Sequence, residues 1–418
     1  MQENSRYAVG LDVGTAMVRV VVGYLEDPTG APTVVGVATE PNAGMRKGTV
    51  VNLVSVAQAI DKALEAAERM SGHQIDAATV NINGAHIVGI SSKDVVAVGA
   101  NGHEITKEDV ERVEDAATVV QLPANREIIE VTPRSYQLDG QENIKDPLGM
   151  TGVRLEVDAH VITALAPHVK NLEKTCEMTS TRPNNFVLSG LAAARAVLTD
   201  QQMENGVLLV DIGASTTNLV VFDEGDLQHV SVIPVGGNNV TNDLAIGLKT
   251  DLDVAEQVKL QHAVAHSGLR RGGAEQVNVK VGETEHEFST EDIDMIVDAR
   301  LEEIFEQINQ ELKNIGRAAK LPGGVVLTGG GAQLKGIADY AKQALQLSSR
   351  VGVPAGLGGV SEEVSTPAFA VASGLMISDL LGNDSTGRAI SHDETAHGTQ
   401  KGRSVAKALT GIFSRFRS

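Results

Sequence analysis

Apolar and polar positions fall into two patterns along this chain, short unbroken runs and longer stretches at helical spacing. Residues 7–11 and 18–22 are apolar runs joined by a small polar turn, and the same grouping returns at 208–210 and 218–222. Runs this short, bounded by Gly and Thr, predict buried strands. Another strand and a Gly-rich connection fall within 33–52. Over 55–70, Val56, Ala59, Ile60, Ala63, Leu64 and Ala67 recur on one helical face, and Gly72 stops the helix. Residues 78–82 predict a further buried strand. From 85 to 164 the texture changes: 87–98, 128–138 and 154–163 alternate like strands around a helix over 106–119. Thr106 caps that helix, with Asp109 three residues on. Helices are expected at 171–179 and, as one piece, over 190–204. Gly236-Gly237 ends a strand before a helix from about Thr241, and 253–264 predicts another. Residues 270–291 are polar, and Thr290 is expected to cap a long helix. Its Ile293, Ile296, Val297, Leu301, Ile304, Phe305, Ile308 and Leu312 form one apolar stripe, ended by Gly316. Residues 324–337 read as a strand, three glycines and a helix start, and 369–381 as a last helix.

The paired runs carry candidate chemistry. In GVLLVDIGASTTNLVVFDEG (206–225), Asp211 ends the first strand and Gly213, Ala214 and Ser215 make a tight turn. In YAVGLDVGTAMVRVVVG (7–23), Asp12, Gly14 and Thr15 stand in the same order. Small residues let backbone N–H groups converge on an anion, and Thr216 and Thr217 add hydroxyl donors. A carboxylate repels phosphate, so its place here makes sense if it holds a hydrated Mg²⁺ that the phosphates share. One such hairpin is as easily an ordinary Gly-turned one. Two of them, about half the chain apart, predict related domains facing each other across a nucleotide cleft. Gly329, Gly330 and Gly331 would let adenine and ribose approach the backbone, although glycines also punctuate strand-to-helix connections. The helix after Gly236 and Gly237 offers an N-terminus that favours phosphate. Glu256 and Lys259 share one helix face, as a surface ion pair also would.

Composition narrows the classes. The 418 residues are 42% hydrophobic, enough for more than one domain. A formal net charge of −19 with 3% aromatic residues argues against nucleic-acid binding. The single Cys176 excludes an internal disulfide framework and a Cys-based zinc site, and the 11 His show no ligand spacing. No signal peptide and no apolar run near the ~18 residues of a spanning helix stand out, so the expected location is cytoplasmic.

The tail contrasts with the rest. Residues 382–402 are polar and aperiodic, a flexible linker spanning roughly 25 Å as a random coil. Beyond it, Val405, Ala408, Leu409, Ile412, Phe413 and Phe416 recur on one helical face. Lys401, Arg403, Lys407, Arg415 and Arg417 accompany them with no acid. A basic amphipathic helix over 403–418 reads as an anchor for an anionic membrane, against the alternative of a helix packed on the body.

The order phosphate hairpin, phosphate hairpin, adenosine glycine loop resembles the actin-like ATPase superfamily. Within it, KDPLGMTGVRLEVDAHVITA (145–164) and VIPVGGNNVTNDLA (232–245) resemble the FtsA family of bacterial cell-division proteins. The likeness runs from about residue 7 to 381 and returns in the last dozen residues. It implies a duplicated, ribonuclease H-like α/β fold. The first domain would comprise 1–84 and 165–205, closed by a helix within 358–381. A distinctive α+β insertion would occupy 85–164. The second domain would cover 206–357, with a helical lobe at about 240–320.

The resemblance also implies ATP and Mg²⁺. Asp12, Gly14, Thr15 and Arg19 would form the first phosphate site, Arg19 standing where actins carry a Lys. Asp211, Gly213, Ser215, Thr216 and Thr217 would form the second. Gly329, Gly330, Gly331, Glu256 and Lys259 would hold the adenosine, and Asp12 and Asp211 would organise the cation through water. Arg195 falls near the place of the Gln that helps position water in actins, and is equally readable as structural. Ala214, Ser215 and Asn218 depart from the family pattern at the second turn, so the residues speak for ATP binding more than for turnover. The implied partners are the C-terminal tail of FtsZ on the helical lobe, other copies of the chain, anionic lipid and later division proteins. Arg270, Arg271 and Arg300 are basic residues that could meet an acidic peptide or simply be solvated. Leu409, Ile412, Phe413 and Phe416 would enter the membrane, flanked by Arg415 and Arg417. A pilus-assembly or rod-shape relative remains an alternative, as does a sugar or acid kinase of the same fold. The kinase lacks a convincing general base. The insertion and the basic tail argue against both, and no long substrate-binding domain of a chaperone follows.

Overall fold

A computed structural model describes residues 7–26, 30–99, 102–119, 122–265 and 275–382. Two sheets dominate, and they are built in the same order. In the first, Thr33–Pro41, Met17–Tyr24 and Tyr7–Val13 form an antiparallel meander, followed by Ala77–Ile82 and Arg182–Leu188 in parallel. In the second, Asp226–Ile233, Thr217–Asp223 and Val207–Ile212 form the meander, followed by Gly324–Thr328 and Ser349–Val351. The leading strand of each meander is buried almost throughout, which is why it reads as an unbroken apolar run and not as an alternation.

Helix Leu53–Ser71 covers the first sheet. Asn52 caps its N-terminus by accepting from the Ser55 N–H, and Gly72 ends it with a φ of 72°. Two further helices, Ser189–Val197 and Ala370–Leu381, lie against each other; Ala370–Leu381 packs under the first sheet, and Ser189–Val197 packs on strands of both sheets. Their approach depends on absent side chains. A Cβ on Gly374 would lie 1.7 Å from the Ala192 carbonyl oxygen, and one on Gly10 would lie 2.1 Å from that of Ala372. The last helix is also fastened by Asp379, which is 5% exposed. Its carboxylate accepts from the Val9 N–H (3.0 Å), the Thr79 hydroxyl (2.9 Å) and the Asn184 amide (2.9 Å).

A separate four-stranded sheet, in the order Val88–Ala97, Arg154–Leu165, Arg126–Leu138, Gln141–Ile144, carries helix Lys107–Ala117 on one face. Thr106 and Asp109 form a reciprocal capping box at that helix. The module leaves the first sheet after Ile82 and returns through Leu165. It nevertheless grips the second sheet. Arg134 donates to the carbonyls of Leu227 (3.0 Å) and Gln228 (2.8 Å), and Lys145 pairs with Asp226.

Several expected boundaries move. The helix expected over 190–204 is two, Ser189–Val197 and Asp200–Glu204, because Thr199 and Gln202 cap a new start. The helix expected at 171–179 begins at Ala166, with Pro167 in its first turn. The long helix is Thr290–Asn314, and its cap is Ser289; the Thr290 hydroxyl instead accepts from the Glu275 N–H. Its stripe is buried except for half-covered Ile296, which lies where a Gly247 Cβ would sit. The stretch at 270–291, expected only to be polar, contains a hairpin, Gln276–Val281 with Thr284–Ser289. Gly282 turns it at a φ of 60°. Among the described residues no helix is long and apolar enough to cross a membrane.

Candidate functional site

The two Asp-led turns have the same backbone. The Gly14 N–H donates to the Met17 carbonyl at 3.0 Å, and the Gly213 N–H to the Thr216 carbonyl at 2.8 Å. Asp12 and Asp211 each stand one residue before the end of a buried strand and are 6% and 4% exposed. Burial raises the Asp12 carboxyl to about 6, opposed by the Arg19 charge. Asp211 rises to about 7, through burial and then repulsion from Asp12, against its Asn218 hydrogen bond and Arg19. Asp211 thus feels the charges of Asp12 and Arg19 from the other half, which places the two acids in one electrostatic site.

Each turn is braced by its own set of residues. Arg19 is the cross-strand partner of Asp12, and its guanidinium carbon lies 5.6 Å from the centre of the Phe369 ring. Asn42 donates to the Gly14 carbonyl at 2.8 Å, and the Thr15 hydroxyl accepts from the Gly48 N–H at 3.2 Å. At the second turn Asn218 is the cross-strand partner of Asp211 and donates to its carboxylate at 2.9 Å. The Asn218 amide oxygen is buried without a partner among the described residues.

The helix after the second meander starts earlier than the sequence suggests, at Gly237 and not near Thr241. Its N-terminus therefore docks directly on the turn. The N–H groups of Gly237 and Asn238 donate to the carbonyls of Gly213 (3.0 Å) and Ala214 (2.7 Å), and Asn238 reaches the Ser215 hydroxyl. A Cβ on Gly236 would lie 2.5 Å from the Gly213 oxygen. Behind Gly237, Lys259 bonds Glu256 (2.6 Å), the Thr241 hydroxyl (2.8 Å) and the Gly237 carbonyl (3.3 Å). The pair is thus tied to the helix start and is more than a surface contact.

The glycine loop follows strand Gly324–Thr328. Gly329 has a φ of 82°, and a Cβ there would lie 2.3 Å from the Asp211 carboxylate. Gly331 packs on Ile212, while a Cβ on Gly330 would meet nothing within 4 Å. Gly330 is therefore the open position of the three. The Gly329 N–H donates to the Pro367 carbonyl, beside Phe369, which closes the loop onto the first turn's side.

Two expected roles change, those of Thr217 and Arg300, and Arg195 takes the structural one of its two readings. Thr217 is fully buried and its hydroxyl donates to the Val235 carbonyl at 2.8 Å, so it is not a phosphate donor; Ser215 and Thr216 keep their hydroxyls at the turn. Arg195 lies at the far end of its helix, bonded to Ser378 at 2.7 Å and paired with Glu130 at 3.6 Å, away from the two acids. The helix end nearer the site is Ser189, which accepts from Asn81 at 3.1 Å. Arg300 holds Asp243 with two hydrogen bonds and pairs with Glu303, so its charge is already matched and is not offered to an acidic peptide. Arg270 and Arg271 lie outside the described residues, as do Leu409, Ile412, Phe413, Arg415, Phe416 and Arg417.

Sequence reasoning missed the asparagines. Asn81 accepts from the Val13 N–H at 2.7 Å, and Asn83 donates to the Thr216 hydroxyl at 3.1 Å. For Asn81 the available signal was an amide within the largely apolar run 78–82, and Asn83 lies just beyond that run. Among the described residues no three His, Cys, Asp or Glu side chains converge as a metal site.

Comparison with known proteins follows the same lines. The profile of a family described as "Cell division protein FtsA" matches residues 208–374, and that of an "SHS2 domain inserted in FTSA" matches 84–163. The chain is 36% identical over 400 residues to the cell division protein FtsA of Pseudomonas aeruginosa, covering 94% of this chain and 95% of that one. It is 37% identical over 379 residues to FtsA of Bacillus subtilis, covering 90% and 84%. Among solved structures it resembles a PilM-PilN type IV pilus biogenesis complex, with a TM-score of 0.65, 20% identity and coverage of 89% and 98%. It also resembles MreB5 of Spiroplasma citri bound to ADP, with a TM-score of 0.52, 14% identity and coverage of 89% and 95%. The fold is the duplicated actin-like one.

Proposed function

This chain belongs to the FtsA family of cell-division proteins, and on that premise we propose that it is an ATP-binding, actin-like tether between the FtsZ ring and the membrane. The observation that carries the nucleotide reading is the pair Asp12 and Asp211. Burial raises the proton affinity of both carboxylates, and the charge of Asp12 raises that of Asp211 further, so a cation beside them would stabilise their ionised forms. A hydrated Mg²⁺ fits. With only two protein carboxylates at hand it keeps most of its ligands as water and phosphate oxygen, which is how Mg²⁺ prefers to bind. The unpartnered Asn218 oxygen is a further acceptor beside Asp211 for a bound water. Mg²⁺ would supply neutralisation of phosphate charge.

The chain's own residues do the rest. The Gly14 and Gly213 turns present backbone to the phosphates, the Gly237 helix start adds its dipole, and Arg19 adds a fixed positive charge. Gly330 leaves room for the adenosine, and Glu256 and Lys259 stand behind the helix start to meet the ribose. These roles form one surface because the two sheets repeat the same order. The MreB5 structure of related fold was solved with ADP, which supports the same reading here.

The division role sets the partners. The lobe built on helix Thr290–Asn314 would receive the FtsZ tail, through Arg271 and neighbouring groups and not through the engaged Arg300. The basic amphipathic stretch at 403–418 would enter an anionic membrane weakly as a single copy, and copies joined in a filament would bind by avidity. ATP binding would favour the filament, and the assembled protein would recruit later division proteins on the inner face of the membrane.

Co-sedimentation with anionic liposomes, with and without ATP and Mg²⁺, tests the proposal. Nucleotide should increase the bound fraction, and Phe413→Asp should abolish it. Equal sedimentation of that variant, or no response to nucleotide, would overturn the tether mechanism.

A further inference from the structure

We infer that Asn83 is a positioning residue that aims the Thr216 hydroxyl at the phosphate site and links that site to the root of the inserted module; the inference rests on the nucleotide reading above. Asn83 belongs to the first half, in the connection that leaves strand Ala77–Ile82 for the module. Thr216 belongs to the second half, in its phosphate turn. The Asn83 amide donates to the Thr216 Oγ1 at 3.1 Å, so this bond crosses from one half to the other. A hydroxyl that accepts such a bond has its rotation fixed and its own proton left over. Thr216 is 3% exposed, and that proton has no acceptor among the described residues. An oxygen arriving at the turn is what it fits.

The other side of Asn83 is rigid. Its amide oxygen accepts from the Gly84 N–H at 2.7 Å. Gly84, at a φ of 124°, sits against Gly48 so closely that a Cβ on Gly48 would lie 2.9 Å from the Gly84 nitrogen. Gly48 in turn donates to Thr15 of the first phosphate turn. One line of contacts therefore runs from the first turn, over the module's root, to the second turn. Arg126 clamps both chain crossings of that root, bonding the His86 carbonyl at 2.7 Å and the Thr163 hydroxyl and carbonyl at 3.0 Å. A phosphate that pulls on Thr216 thereby pulls on the module.

The test is a double-mutant cycle on ATP·Mg²⁺ affinity with the full chain, using Asn83→Ala, Thr216→Val and both together. Asn83→Ala should weaken binding about 3- to 10-fold, the worth of one hydrogen bond, and should add nothing in the Thr216→Val background. Nucleotide should slow amide exchange in strands Val88–Ala97 and Arg154–Leu165 of the wild type and not of Asn83→Ala. If Asn83→Ala folds poorly, the isosteric Asn83→Asp serves, and it should bind less well than wild type with an unchanged melting temperature. Unchanged affinity, or additive losses in the cycle, would overturn the role of Asn83. Failure of the wild type to bind ATP·Mg²⁺ at all would overturn the nucleotide reading and this inference with it.

Discussion

At the first phosphate turn the buried acid faces a cation across the ladder, Asp12 opposite Arg19; at the second it faces an amide, Asp211 opposite Asn218. The first turn is braced from within its own half, by Asn42 and Gly48. The second is braced by a helix start, through Gly237 and Asn238, and from the opposite half by Asn83. Equal backbones thus carry unequal charge. On the proposed nucleotide reading, the first turn would bring a fixed positive group to the phosphates, and the second an acid whose charge is offset only in part by Arg19 and Asn218. The difference teaches that a repeated fold need not repeat its chemistry, and that the second turn is where dependence on a metal should concentrate.

The sharpest way to break this comparison is to remove the acids one at a time. Asp211→Ala should weaken ATP·Mg²⁺ binding by at least about 100-fold in calorimetry, roughly 2.7 kcal/mol. Asp12→Ala should cost about 10-fold, because Arg19 is freed to meet the phosphates. Equal losses would mean that the turns share the cation evenly.

The next largest effect separates the cross-strand partners. Arg19→Ala should weaken ATP binding about 10-fold, whereas Asn218→Ala should cost about 2- to 3-fold, the difference between a charged and a neutral hydrogen bond. A larger loss from Asn218→Ala would move the positive role away from the first turn.

Titration sharpens it further. In the metal-free protein the folded state holds protons on Asp12 up to about 6 and on Asp211 up to about 7, whereas the unfolded chain releases them near 3.8. The folded state therefore binds more protons between these limits, and stability should fall as pH rises from about 4 to about 7. Thermal melts across that range should show the loss, and millimolar Mg²⁺ should reverse it at pH 8 more than at pH 5. Asp211→Asn should flatten the profile more than Asp12→Asn, and a profile unchanged by either would sink the assignment. The smallest effect belongs to Thr217→Val. It should leave ATP affinity within about 2-fold while lowering stability by about 1 kcal/mol through the lost bond to Val235.

Both Asp-led hairpins were legible because burial on two faces leaves an unbroken apolar run, and a carboxylate at its end stands out. The glycine loop was legible for the same reason, three small residues after such a run. Thr217 was misread because the sequence does not tell which of two adjacent hydroxyls points out of a strand; only the pleat decides that. Arg300 was misread because its partner Asp243 is remote in sequence and on a different helix. The hairpin at Gln276–Ser289 did carry a signal, since Val277, Val279 and Val281 alternate before Gly282, but the charged residues around them masked it. The asparagines that brace the turns follow no spacing, because each acts on a backbone or hydroxyl group brought near by the fold.

Asp379 sets how the body bears mechanical load. Its carboxylate is held by Val9, Thr79 and Asn184, which stand on three neighbouring strands of the first sheet. Tension applied to the chain beyond residue 382 enters one turn of helix and is then shared among those strands. Bonds loaded side by side must fail together, so the helix end resists being peeled away, and its detachment is governed by a rate and not by an equilibrium. Pulled from residue 382 in an optical trap, Asp379→Ala should release this helix at lower force than the wild type, and equal rupture forces would show that the load is carried elsewhere.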